Sequence, residues 1–288
     1  MDIRLNDWAK TVLADPITKD LRKPEDFRLV DGVIDARVYL PNTYGYSEWS
    51  VGQTAFESLE EASHYSRKPL EFFKNEIEND RPIYQHFELQ GPILDIGGSV
   101  GLLREFLSPD TKYLVVDPFI DVRERISKKR GEAYRCLSEP LNFVSGLAEF
   151  LPIQTASFQT VHMRSMLDHV QIVDLCLLEA KRVLKPGGLL IVGISIEGRP
   201  FGKKGVDLRP KVLLKNLVKS VLARIGFDRY RDEHVWHPTF ENLKKVVMDA
   251  GFDIEDIYWQ PAWQGKVVYI GAKVKTGPEA YSDAGKNV

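Results

Sequence analysis

Residues Pro92 to Gly101, P-I-L-D-I-G-G-S-V-G, decide how the rest of this chain is read. Ile93, Leu94 and Ile96 form a short apolar run suited to a parallel strand buried on both faces. Gly97, Gly98 and Gly101 then let the chain turn tightly beneath a ligand. A second run, Tyr113 to Asp117 (Y-L-V-V-D), ends in a carboxylate twenty residues after Gly97. That is near the spacing at which an acid caps the next strand and grips ribose hydroxyls. The glycines do not follow the Gly-x-Gly-x-x-Gly order of a dinucleotide site, so a different nucleotide-like ligand is expected.

With 288 residues, 43% hydrophobic and 28% charged, the chain can bury a full core without disulfide or metal staples. Its formal net charge of −2 gives no global reason to bind nucleic acid or an acidic surface. The two cysteines, Cys136 and Cys176, have no Cys-x-x-Cys spacing, so neither a zinc site nor a disulfide framework is expected, and no metal site is assigned. The opening M-D-I-R-L-N-D-W lacks the apolar core of a signal peptide, and no stretch approaches the roughly 18 apolar residues of a membrane span. A cytoplasmic protein is the resulting expectation.

Residues 1–53 read as a small irregular extension, with turn formers around Val33 to Leu40 and an aromatic cluster of Tyr44, Tyr46 and Trp49. That cluster either packs the extension onto the next domain or forms a lid or substrate wall. Two helices are expected between Thr54 and Asn79, broken at Pro69, and one after the glycine turn at Leu102 to Leu107, stopped by Ser108-Pro109. Asp121 to Ala133 is dominated by charge and reads as a solvated crossover helix closed by Gly131, with no chemistry assigned.

The chain also matches a known family motif by motif. Asp95-x-Gly97-x-Ser99-x-Gly101 resembles the first motif of the class I S-adenosylmethionine-dependent methyltransferases, acid-x-Gly-x-Gly-x-Gly, with Ser99 in place of the middle glycine. Leu141 to Arg164 resembles the segment in which a strand ends at Gly-x-Ala-Glu before Leu-Pro and a Ser-Phe-Asp-x-Val strand. Gly146, Ala148, Glu149, Leu151, Pro152, Ser157, Phe158 and Val161 match it, whereas Gln159 replaces the aspartate. Glu179 to Gly193 adds a helix halted by Lys185-Pro186-Gly187-Gly188 and followed by an apolar strand. The resemblance covers roughly residues 88–273 and is closest to the type 11 methyltransferases. A weaker likeness, in the His-rich lead to a helix ending Ala250-Gly251-Phe252, is to methyltransferases of glycan and cell-envelope biosynthesis. Asp15 to Leu21 and Leu29 to Ile34 are faintly similar to the zinc-ribbon-derived segment ahead of some methyltransferases, without its cysteines.

The resemblance implies an α/β, doubly wound and mostly parallel sheet of about seven strands with helices on both faces and the last strand antiparallel. Its methyltransferase domain would span 54–275, with a helical insertion at 198–238 and a flexible tail at 276–288. It implies S-adenosyl-L-methionine as cofactor, held by Asp95, Gly97, Gly98, Ser99, Gly101, Asp117, Ala148 and Glu149, the last two at the adenine.

The expected reaction is O-methylation of a small-molecule or glycan hydroxyl. A hydroxyl must lose its proton on methylation, and histidine is the usual acceptor. His162 lies inside a strand and reads as a core histidine. His169 follows that strand's end, and it is the favoured base, with His234 or His237 folding over it. Asp168 would orient a histidine or bind substrate hydroxyls, and Arg164 either holds an anionic group or forms an ion pair.

Between Pro210 and Gly226, apolar residues at helical spacing alternate with Lys211, Lys215 and Lys219. This basic amphipathic segment either packs over the site or meets phosphates of a substrate or membrane surface. Carbon methylation of a quinone or other lipid is the alternative it would favour. A non-catalytic binding module, suggested by Ser99 and Gln159, is the alternative from a different class. No nucleic-acid partner is expected, and the oligomeric state is open.

Overall fold

The computed structural model describes residues 2–43, 45–57, 67–203 and 234–275. Tyr44, the basic segment at 210–226 and the tail at 276–288 lie outside the described residues.

Among the described residues, nine strands form one sheet. They are β1 (Arg28–Val30), β2 (Val33–Asp35), β3 (Ile93–Ile96), β4 (Tyr113–Asp117), β5 (Phe143–Ser145), β6 (Phe158–Arg164), β7 (Leu184–Ser195), β8 (Phe252–Trp259) and β9 (Val267–Val274). Their order across the sheet is β1-β2-β5-β4-β3-β6-β7-β9-β8. Strands β2 to β7 pair in parallel, while β9 is antiparallel to both β7 and β8. Seven strands, β3 to β9, form the expected doubly wound sheet. The two further strands are the hairpin β1–β2, which extends the sheet through Ile34 and Asp35 paired with Val144 and Ser145.

Every residue of β3 and β4 is buried, as an apolar run covered on both faces should be. On one face Leu94, Ile96, Val116 and Val161 pack with α1 (Asp7–Thr11), α5 (Val173–Val183) and α6 (Phe240–Asp249), through Ala9, Leu177, Ala180, Leu243 and Val247. On the other, Ile93, Val115 and Phe143 meet Phe73 and Ile77 of α3 (Leu70–His86). Residues near the amino terminus share this core: Ala9, Leu13, Ile34 and Ala36 are all buried in it. Helix α2 (Tyr46–Glu57) crosses the junction expected at residue 53.

Two expected helices come out shorter. After the glycine turn there is one 3₁₀ turn, Leu102–Phe106, rather than a helix. Pro109 drives Ser108 away from the helical region, leaving too few residues to repay helix nucleation. In the charged stretch only α4 (Lys128–Ala133) is helical, starting where the Ser127 side chain accepts from the Arg130 amide at 3.2 Å. Gly131 lies inside this helix rather than closing it.

Candidate active site

The carboxyl ends of β3, β4, β5 and β6 converge on a cavity of about 280 Å³. The strand order reverses between β3 and β6, the position at which open α/β sheets take their ligands. The cavity is lined by Gly97 and Ser99 from the turn after β3, Asp117 to Phe119 after β4, Gly146 to Glu149 after β5, and Ser165, Met166, His169 and Val170 after β6.

The turn after β3 is held in an uncommon backbone conformation. Gly97 and Gly101 have φ of +71° and +73°, and Ser99 has φ +47° without being glycine. Ser165, across the cavity, shares this left-handed geometry at φ +48°. Two strained non-glycine residues facing one cavity are the signature of a site that over-determines its backbone. A Cβ on Gly98 would stand 2.5 Å from the Asp95 carboxylate, and one on Gly97 would stand 2.7 Å from the Met166 Cβ, so both must be glycine for the turn to close.

Asp95, Gly98 and Gly101, expected at the cofactor, are not on the cavity wall. Asp95 is 2% exposed and points into the sheet, where it accepts from the Tyr113 hydroxyl and pairs with His162 Nδ1 at 2.8 Å. With Nδ1 donating, His162 Nε2 accepts from Tyr84 at 3.2 Å, so His162 is the satisfied core histidine expected of it. The motif's first acid therefore braces the turn from behind. Arg164 is likewise spent on structure, with Nη2 donating to Asp80 Oδ1 at 2.8 Å in a bidentate pair.

Asp117 does face the cavity. Its Oδ2 accepts from the Ser99 amide at 2.8 Å and its Oδ1 from the Phe119 amide at 3.1 Å. Burial raises its carboxyl to about 6; the two amides and Arg125 lower it, while Asp95 raises it further. A carboxylate held so by the backbone is preorganised to accept from a ribose diol. Glu149 is buried on the same wall, its Oε1 accepting from the amides of Gln171 at 2.8 Å and Ile172 at 3.2 Å. It thus ties the 3₁₀ turn Ala148–Phe150 to the entrance of α5, and burial raises its carboxyl above the ordinary range.

Three wall residues were not assigned chemistry by sequence reasoning. Arg125 and Arg130, expected on a solvated helix, line the cavity instead. Arg125 is 8% exposed, held by Asp121 at 2.8 Å, with its guanidinium 3.5 Å from the Phe119 ring centre. The uncoiled backbone ahead of α4 is what turns it inward. Trp49 of α2 also lines the cavity, its Nε1 donating to the His169 carbonyl at 2.8 Å. Of the two readings of the aromatic cluster, the structure thus puts this member on the wall.

His169 is on the cavity wall, with the His234 ring centred 4.6 Å from its own. His234 Nε2 stands 3.5 Å from Asp168 Oδ2. His237 lies farther out, its ring 5.9 Å from that of His234 and its Nδ1 3.6 Å from Glu197. The structure therefore brings Asp168, His169 and His234 together, with His169 on the cavity wall, and leaves His237 beside them.

The residues fit S-adenosylmethionine. Ile96, Val116, Phe119, Leu147 and Val170 supply an apolar wall for a base, and Asp117 supplies the acceptor for a ribose diol. Asp117→Ala is expected to weaken binding of S-adenosylhomocysteine by about 1–3 kcal/mol, the value of charge-assisted hydrogen bonds. The wild-type protein should also bind more weakly as pH falls, because the carboxylate is lost through a pKa of about 6. Between pH 7 and pH 5 the affinity should drop roughly tenfold. Calorimetric titration of both proteins at the two pH values checks this; a pH effect of equal size in the variant would detach it from Asp117.

Comparisons with known proteins match the part of the chain that carries most of this cavity. Residues 94–192 match the family model described as a methyltransferase domain. The ubiquinone/menaquinone biosynthesis C-methyltransferase UbiE of Ectopseudomonas mendocina is 31% identical over 166 residues, covering 56% of this chain and 64% of its own length. The demethylmenaquinone methyltransferase of Clavibacter sepedonicus is 28% identical over 163 residues, with the same coverages of 56% and 64%. The chain thus spans less than two thirds of these curated relatives. Among solved structures, the 1,6-didemethyltoxoflavin-N1-methyltransferase of Burkholderia thailandensis has the same fold, with a TM-score of 0.52 at 14% identity, covering 84% of this chain and 95% of that one. The glycine turn, Asp117 and the Gly146 to Pro152 segment all fall within residues 94–192, the part of the chain that matches the methyltransferase-domain family.

Proposed function

We propose that the protein transfers a methyl group from S-adenosylmethionine to a hydroxyl of a small molecule or glycan. When bound, the cofactor supplies a methyl on a sulfonium whose leaving group is a neutral thioether. The chain's own part is then to align the acceptor in a dry pocket and to handle the hydroxyl's proton. The observation that carries the reading is the meeting of Asp168 and His234 with His169, which lines the cavity beside Ser165 and Met166. An amine with a free lone pair makes less demand for such a group than a hydroxyl does, whereas a ring carbon must also give up a proton. Trp49 adds an apolar face to the wall and is tied to the His169 main chain.

Carbon methylation of a quinone is the second reading, favoured by the names of the two relatives. Turnover with carbon-13 methyl-labelled cofactor, on a panel of hydroxylated sugars and phenols and on demethylmenaquinone in vesicles, separates the two. An O-methyl resonance on a member of the first panel supports the proposal. A carbon-bound methyl on the quinone alone would replace it.

A further inference from the structure

The meeting of Asp168, His169 and His234 has a chemistry beyond proton transfer. Among the described residues, these three form the group whose ligand atoms, one from each side chain, lie within 4.8 Å of one another. They come from the loop after β6 and from the segment leading into α6, so the fold and not the local sequence assembles them. A first-row divalent ion at 2.0–2.2 Å from each ligand needs them about 3–3.5 Å apart. Asp168 Oδ2 and His234 Nε2 already stand 3.5 Å apart, so a small side-chain rotation closes the set.

The second observation is an unsatisfied atom. Asp168 is 7% exposed, and its Oδ1 is buried with no hydrogen-bond partner. A buried carboxylate oxygen left so costs about 1–3 kcal/mol or more, and a cation held by both oxygens of that carboxylate would remove the cost. Two imidazoles and one carboxylate are the donor set preferred by zinc, iron, cobalt or nickel rather than by calcium or magnesium.

We propose that Asp168, His169 and His234 bind one first-row divalent metal ion beside the cavity that His169 lines, with open coordination positions for the acceptor's hydroxyl. This rests on the reading of the cavity as a methyl-transfer site and specifies its acceptor: a hydroxyl able to ligate a metal, best of all one of an adjacent pair. The ion makes the hydroxyl more acidic. The acceptor's O–H bond breaks with its proton passing to water, and its oxygen forms a bond to the methyl carbon. The carbon–sulfur bond breaks with its electron pair going to sulfur.

The test uses untagged, full-length protein freed of metal with a chelator and titrated with Co²⁺, read by visible absorption and by metal content. One Co²⁺ per chain is expected, with the absorption of a nitrogen- and oxygen-ligated site. His234→Ala and Asp168→Asn should each weaken it by about 100-fold or more, since a lost direct ligand costs at least as much as a lost outer partner. S-adenosylhomocysteine affinity, measured on the same samples, serves as the control for folding and should be unchanged in His234→Ala. Absence of Co²⁺ binding, or equal binding by wild type and both variants, overturns the metal site. If S-adenosylhomocysteine still binds in that case, the methyl-transfer reading stands with His234 and Asp168 as a proton-accepting pair. Co²⁺ bound at these residues without any S-adenosylhomocysteine binding keeps the metal site and removes the methyl-transfer reading instead.

Discussion

His169→Ala is expected to lower turnover by roughly 10²–10⁴-fold while leaving S-adenosylhomocysteine affinity within about twofold of wild type. The split between the two readouts follows from which atoms of His169 do what. Its imidazole faces the cavity and lies against His234, whereas its main-chain carbonyl holds the Trp49 indole at 2.8 Å. The substitution removes the ring and keeps the carbonyl, so the wall built on Trp49 survives. Gly97, Ser99 and Asp117, expected at the cofactor, come from the loops after β3 and β4 and not from the loop that carries His169, and the substitution leaves them in place. The loss therefore falls on the acceptor's oxygen alone. Steady-state kinetics on the acceptor found by the labelled-methyl screen, alongside calorimetry, makes the measurement. Turnover at the wild-type level would take His169 out of the chemistry, and a parallel loss of cofactor affinity would make it a structural residue.

The second large effect is on stability. Asp95→Ala should destabilise the fold by about 2–6 kcal/mol, because two buried groups, the Tyr113 hydroxyl and His162 Nδ1, lose their acceptor at about 1–3 kcal/mol each. Tyr113 is fully enclosed, and burial with the neighbouring Asp95 raises its hydroxyl well above the ordinary range, so it stays a neutral donor that needs this partner. Asp95→Asn keeps an acceptor oxygen but brings an amide against two donors, and should fall between wild type and alanine. Urea unfolding of the three proteins gives the order. The same experiment separates two roles for the residue. A residue that braces the glycine turn from behind loses stability first and cofactor affinity as a consequence. An Asp95→Ala protein with an unchanged unfolding midpoint and a large loss of S-adenosylhomocysteine affinity would make Asp95 a direct ligand after all.

Asp95 also shows how far sequence reasoning reaches. The acid-x-Gly-x-Gly-like spacing located the turn correctly, because a left-handed backbone at Gly97 and Gly101 is a local demand that a linear motif records. The motif does not say which way the acid points. In a strand buried on both faces, each side chain enters one layer or the other, and only the placement of Tyr113 and His162 sends this carboxyl inward. Asp117 was legible because it ends its strand, and a carboxylate at a strand's end in this topology opens onto the cavity.

The charged stretch from Asp121 to Ala133 marks the opposite limit. Composition alone makes a solvated helix of it, and the structure instead turns Arg125 under Phe119 and onto the cavity wall. The one available signal was Asp121 four residues before Arg125, and the same spacing is equally common on exposed helices.

The sequence by itself determined the site of the glycine turn, the strand that Asp117 ends and the resemblance to methyltransferases, because each is written in a few adjacent residues under local steric or hydrophobic constraint. Only the tertiary structure decided that Trp49 walls the cavity, that Asp95 meets Tyr113 and His162, and that His234 meets Asp168 and His169 from a distant part of the chain. Those facts depend on where separate segments cross, and crossing points are set by packing over the whole sheet, which no short stretch of sequence encodes.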